Sequence, residues 1–239
     1  MELVLKMQKK KESSDHIRTN IHIEVRFLIE DKLNRREEYS CPYFQLTFII
    51  IYIVNNNREL GLSMINSMRR TMTVQGERVT VLKVPWFPQS DSDWKCFVCS
   101  LKMCLEYFKN EYNNDIIRQN TPNLDIETLM KITHTRKNTG TPTEGICKKL
   151  EKAGLPFKFQ LKSSSFPEIE EKLNVGLPAI VIYNGSYLKD ERRGPSHAGV
   201  VIGMRDDDLI LNNPWFGAIY LVDKFKFERA WELEYFKLS

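Results

Sequence analysis

The sequence predicts an α+β fold preceded by a small β-rich extension, and three patterns predict it. From Ile17 to Ile29 the odd positions are Ile17, Thr19, Ile21, Ile23, Val25, Phe27 and Ile29, while the even ones are mostly polar. That period of two marks a strand with one buried face. Three helix-like segments then succeed one another between Trp94 and Gly154, and the chain closes on the apolar runs "PAIVIY", "HAGVVIGM" and "LILNN". Helices first and antiparallel strands later give α+β, and 239 residues suit one ordinary domain with an extension, or two small domains. The expected division is residues 1–75 as the extension and 76–239 as the main domain.

In the extension a polar break, "EDKLNRREEYSCP", follows the first strand. A second strand is then expected within Tyr43 to Val54, rich in β-branched and aromatic residues, pairing antiparallel with the first. Asn55 to Asn57 end it, because Asn tolerates left-handed backbone. "RELGLSMINSMRR" spaces Leu60, Met64, Ile65 and Met68 as an amphipathic helix would. In the main domain "RVTVLKVPWF" is a strand stopped by Pro85, and Ser92 or Asp93 caps a helix from Trp94 to Lys109. Asp125 caps a helix in "NLDIETLMKIT"; Thr143 caps, and Gly154 ends, one in "TPTEGICKKLEKAG". A strand "PFKFQLK", a helix "FPEIEEKLN" and the strand "PAIVIY" follow, and "RDDD" joins the last two strands as a hairpin. No repeat of fixed period and no low-complexity linker interrupts the chain.

Composition excludes several classes. Lys and Arg number 35 against 31 Asp and Glu, interleaved, so nucleic acid is not an indicated partner. The densest basic run, "KMQKKKESSDHIR", reads as a solvated tail. Five cysteines without disulfide-scaffold spacing, and no signal peptide, point to reduced thiols in a cytoplasm. The run "FIIIYIV" is far short of the roughly 20 residues that span a bilayer as a helix.

Three of the five cysteines, Cys96, Cys99 and Cys104, fall on two turns of one helix. Cys104 shares the apolar side with Leu101, Leu105 and Phe108, so it reads as packing, and Cys99 reads the same way. Cys96 and Cys99 also spell C-x-x-C. A zinc site needs four ligands, and no second C-x-x-C or H-x-x-x-H pair stands at usable spacing, so neither metal nor cofactor is expected. A thioredoxin-type redox pair is the alternative, since the motif follows a strand. A thiol in the first helical turn is a candidate nucleophile, because the positive helix end and a nearby histidine favour thiolate.

Among four histidines, His197 is the best candidate base, at the lip of the apolar strand "HAGVVIGM" after the polar loop "NGSYLKDERRGPS". His16 and His22 fall on a polar strand face and His134 at a helix end. The final hairpin returns Asn213 to within a few residues of facing His197, where a carboxamide orients the ring. Gln89, seven residues ahead of Cys96, is placed to donate to an oxyanion alongside the Cys96 backbone N–H.

With "VPWFPQ", "CFVCSLKMCLEYF", "TPTEGICKKLEKAGL", "GLPAIVIYNG", "HAGVVIGM" and "LILNNPWFG" in this order, the chain resembles the papain-like cysteine peptidases. It is most similar to the bacteriocin-processing, double-glycine leader peptidases and their free-standing relatives. The resemblance runs from Val79 to Trp231 and implies a papain-like fold, with Cys96 as nucleophile, His197 as base, Asn213 as orienting residue and a peptide or isopeptide as substrate. Phe97 stands where the family usually has glycine, a crowding side chain beside the thiol, and Asn213 where these relatives usually have Asp. The first 75 residues match nothing in the family. No G-x-x-x-x-G-K-[ST] loop is present, so the ATP-driven export part is absent. Trp86, Phe87, Trp94, Phe97, Trp215 and Phe216 read as apolar walls of the cleft or, equally, as core. Two rival roles stay open: a catalytically silent binding module on the same scaffold, and an acyltransferase using the same triad.

Overall fold

The computed structural model of the chain describes residues 46–53, 62–90, 94–111, 124–155 and 157–238. The expected strand at 17–29, His16, His22, the Asn55–Asn57 stop and the helix caps at 92 and 93 lie outside these residues. Within Tyr43 to Val54 the described strand is β1 (Leu46–Ile53). It pairs antiparallel with β4 (Phe157–Ser164) along its whole length and, on its other edge, with β5 (Ala179–Asn184). Continuing through β6 (Ser196–Arg205), β7 (Asp208–Asn213) and β8 (Gly217–Asp223), the sheet has six strands in the order β4-β1-β5-β6-β7-β8.

The expected boundary at residue 75 is therefore crossed by the central sheet, for β1 is one of its interior strands. Its sequence, rich in β-branched and aromatic residues, suits an interior strand. A smaller second sheet is the hairpin β2 (Arg69–Val74) and β3 (Glu77–Leu82). Gln75 and Gly76 turn it with φ of 51° and 86°. The preceding helix, α1 (Leu62–Ser67), ends earlier than expected because Arg69 and Arg70 already pair in this hairpin.

The helix α2 (Cys96–Glu111) buries eleven of its 16 residues, so it is enclosed nearly all round and packs on β5 and β6. Asp125 caps α3 (Ile126–Thr133), its carboxylate accepting the Thr128 N–H at 2.6 Å. The next helix, α4 (Ile146–Lys152), differs in its cap: Gly145 at φ 65° takes that place rather than Thr143, whose carbonyl accepts the Ile146 N–H. α5 (Phe166–Asn174) matches the expected "FPEIEEKLN", and the Arg69 guanidinium satisfies its last carbonyls at Leu173 and Asn174.

Besides β2, three elements have no counterpart in the expectation: α6 (Gly185–Asp190), β8 and α7 (Lys224–Leu238). α7 packs on β1, β5, β7 and β8. There Phe227 and Trp231 join Phe166 and Tyr183 in an aromatic cluster with ring centroids 5.1–6.2 Å apart. No helix among the described residues is long and apolar enough to cross a membrane.

Candidate active site

Cys96 is the first residue of α2, at the end where unpaired backbone N–H groups favour negative charge, and 9% of it is exposed. Cys99 lies one turn deeper and donates its S–H to the Pro88 carbonyl at 3.6 Å. Burial, reinforced by the neighbouring Cys96 charge and only partly opposed by Lys95, pushes the Cys99 thiol up to about 12. Burial alone pushes Cys104 up as well. Both therefore stay protonated and pack, which leaves Cys96 as the thiol of α2 at the helix mouth.

His197 and Asn213 are brought together. Asn213, fully buried at the end of β7, accepts the backbone N–H of Trp215 at 2.8 Å and of Phe216 at 3.0 Å through Oδ1. Those two donors fix which end of the carboxamide is oxygen. His197 Nε2 lies 3.0 Å from the same oxygen, so it must be the donor, and Nδ1 carries the basic lone pair. Burial pushes His197 down to about 4, although the Asn213 hydrogen bond favours its charged form. At neutral pH the ring is a neutral base.

Sequence reasoning missed Tyr183. It ends the apolar strand "PAIVIY" and pairs across to His197, its ring meeting the imidazole edge-on at 5.5 Å. Its hydroxyl accepts the Asn213 Nδ2–H at 2.7 Å. Burial and, next, the charge at Cys96 raise the phenol well above its ordinary value, so the hydroxyl keeps its proton. The only prior signal was a tyrosine closing a strand otherwise made of aliphatic residues.

Gln89 is 3% exposed, and its segment is stapled to the end of β7. Its backbone N–H donates to Pro214 at 3.1 Å, Trp86 Nε1 donates to the Asn213 carbonyl at 2.9 Å, and Asn212 Nδ2 donates to the Val84 carbonyl at 2.9 Å. The Cys99 bond to Pro88 ties the same segment to α2, so residues 84–89 run between the start of α2 and the end of β7. Of the expected cleft aromatics, Trp86 and Trp215 are exposed at 39% and 45%, and Trp215 lies 5.8 Å from the His197 ring. Phe97 takes the core alternative: it is 4% exposed and packed into the core. His134 is placed apart, as the left-handed C-cap of α3.

A helix-borne thiol, beside a sheet that carries an imidazole held by a carboxamide, is the arrangement of the papain-like α+β fold. The family model described as the Peptidase_C39 like family matches residues 81–237, about two thirds of the chain. The chain belongs to the peptidase C39-like family, a family of cysteine peptidases. Among solved structures, a Bacillus anthracis protein assigned as a C39-like peptidase aligns at 17% identity and a TM-score of 0.43. The alignment covers 62% of this chain and 89% of that one. No curated protein matches the sequence.

Proposed function

We propose that this chain cleaves a peptide or isopeptide bond with Cys96 as nucleophile, His197 as general base and then acid, Asn213 as orienting residue and Gln89 as oxyanion donor. The observation that carries the reading is the shared Asn213 oxygen, which sets His197 as the Nε2–H tautomer and leaves Nδ1 free to take a proton. The Cys96 thiol gives its proton to Nδ1 as sulfur bonds to the substrate carbonyl carbon. The Gln89 side-chain amide and the Cys96 backbone N–H hold the resulting oxyanion. As the intermediate collapses, the C–N bond breaks and the imidazolium protonates the leaving amine. Water, deprotonated by His197, then attacks the thioester and releases the acid, and the sulfur recovers its proton.

The burial of Phe97 in the core supports catalysis over a silent binding module, since that side chain was the reason for expecting a crowded approach. The unit proposed to act takes in β1 as well as 62–238, which leaves residues 1–45 as the extension. Digestion of a mixed peptide library, read by mass spectrometry, tests the reading together with iodoacetamide labelling of the folded protein. Cleavage should vanish in Cys96→Ala and persist in Cys99→Ala, with label on Cys96 and not on Cys99 or Cys104 until unfolding. Full hydrolysis by Cys96→Ala would sink the assignment. Addition of a small amine as competing acceptor separates hydrolysis from acyl transfer.

A further inference from the structure

We propose that Tyr183 is a positioning residue for the His197–Asn213 pair, reaching it across the middle strand through the gap left by Gly199. The inference rests on the peptidase reading above and deepens it. Three adjacent strands are involved. Tyr183 on β5 lies opposite His197 on β6, and Val200 on β6 lies opposite Asn212 on β7, which sets Asn213 opposite Gly199 one step along the register.

Residues on β5 and β7 stand two strand spacings apart, roughly 9–10 Å, and a side chain on β6 would ordinarily separate them. At Gly199 there is none: a Cβ built there would meet the Tyr183 hydroxyl oxygen at 3.1 Å and its ring at 3.5 Å. The phenol therefore passes over the bare backbone of β6 and accepts the Asn213 Nδ2–H at 2.7 Å.

With that bond the Asn213 carboxamide is fixed at both ends. Oδ1 serves His197, Trp215 and Phe216, and Nδ2 serves Tyr183. A buried amide N–H requires an acceptor, so removing the hydroxyl leaves Nδ2 to seek another by rotation. Rotation draws Oδ1 off the His197 Nε2–H. The imidazole then loses the bond that specifies its tautomer and stabilises its protonated form. Tyr183→Phe isolates this effect, because it keeps the ring that packs on His197 and Phe227.

The test uses the full chain, wild type against Tyr183→Phe and Gly199→Ala. The added methyl of the second variant displaces the hydroxyl without deleting it. Nitrogen NMR of the histidine rings reports the His197 tautomer, and kcat/KM against pH on the peptides cleaved by wild type reports the base. In both variants the Nε2–H tautomer should give way to a mixture. The expected loss in kcat is about tenfold, the worth of one buried hydrogen bond, with KM little changed. The acid limb should move to lower pH as the imidazolium loses support. Retention of the wild-type tautomer and acid limb in Tyr183→Phe, with only a lowered melting temperature, would overturn the proposal. If wild type cleaves no peptide at all, the peptidase reading fails while the tautomer comparison still decides whether Tyr183 positions the pair.

Discussion

The burial of His197 makes stability depend on pH in a way that one substitution can isolate. In the unfolded chain its pKa is about 6.5, whereas burial pushes it down to about 4 in the folded protein. Between those values the unfolded state binds a proton that the folded state refuses, so acid favours unfolding. The stabilisation is whole above pH 7, falls as pH drops through 6.5, and stops falling below 4. At 1.36 kcal/mol per unit, a gap of about 2.5 units amounts to about 3 kcal/mol, of which about 2.5 kcal/mol is lost between pH 7.5 and 4.5. Carboxylates such as Asp125 and Asp190, held low by their hydrogen bonds, weaken the fold over part of the same range. Their effect cancels in a comparison with His197→Gln. Urea unfolding of the two proteins at pH 7.5 and 4.5, followed by fluorescence and circular dichroism, gives the difference. Wild type should lose about 2.5 kcal/mol more than His197→Gln. Equal losses would mean that His197 titrates near its ordinary value in the folded state, and hence that water reaches the ring.

Two further substitutions probe how the site is held. A Cβ on Gly185 would fall 2.7 Å from the His197 Cβ and 3.1 Å from its Cγ, so Gly185→Ala should push the imidazole aside and cut kcat/KM at least tenfold in a protein with an unchanged far-ultraviolet spectrum. Asn212→Leu deprives the Val84 carbonyl and the Ile219 N–H of their partner. It should cost about 2 kcal/mol in chemical denaturation and lower activity through the loosened segment that carries Gln89.

How much of this was legible depended on how local each cause is. The helix α5 was readable to the residue, since Phe166, Ile169 and Leu173 share a face and Pro167 stands in the first turn. Asp125 was readable as a cap for the same reason. Cys96, His197, Asn213 and Gln89 stood out because reactive residue types sat at a helix start, a strand lip, a hairpin return and a proline-rich approach. The place of β1 was not readable: its partners lie at Phe157–Ser164 and Ala179–Val181, more than 100 residues away, and no local pattern favours them over a nearer strand. α6 was hidden in a polar stretch where Asn184 both caps the helix and clamps Gly194, so its residues looked like loop. Tyr183 was hidden because its role depends on a missing side chain two residues along the neighbouring strand.

That dependence also gives a physical account of the carboxamide at position 213. Its oxygen receives the imidazole and two backbone N–H groups, while its nitrogen donates to Tyr183, so one side chain meets four partners in a fully buried site. A carboxylate could receive the same three donors, but the Tyr183 hydroxyl would have to turn and donate in place of accepting. It would also place a full negative charge in a dry pocket whose proposed nucleophile must itself become negative. With the neutral Asn, burial keeps His197 unprotonated, and on the proposed mechanism the imidazole takes the thiol proton at Nδ1. On that mechanism the positive charge that stabilises the thiolate arises only when the proton moves, at the moment of attack on the substrate.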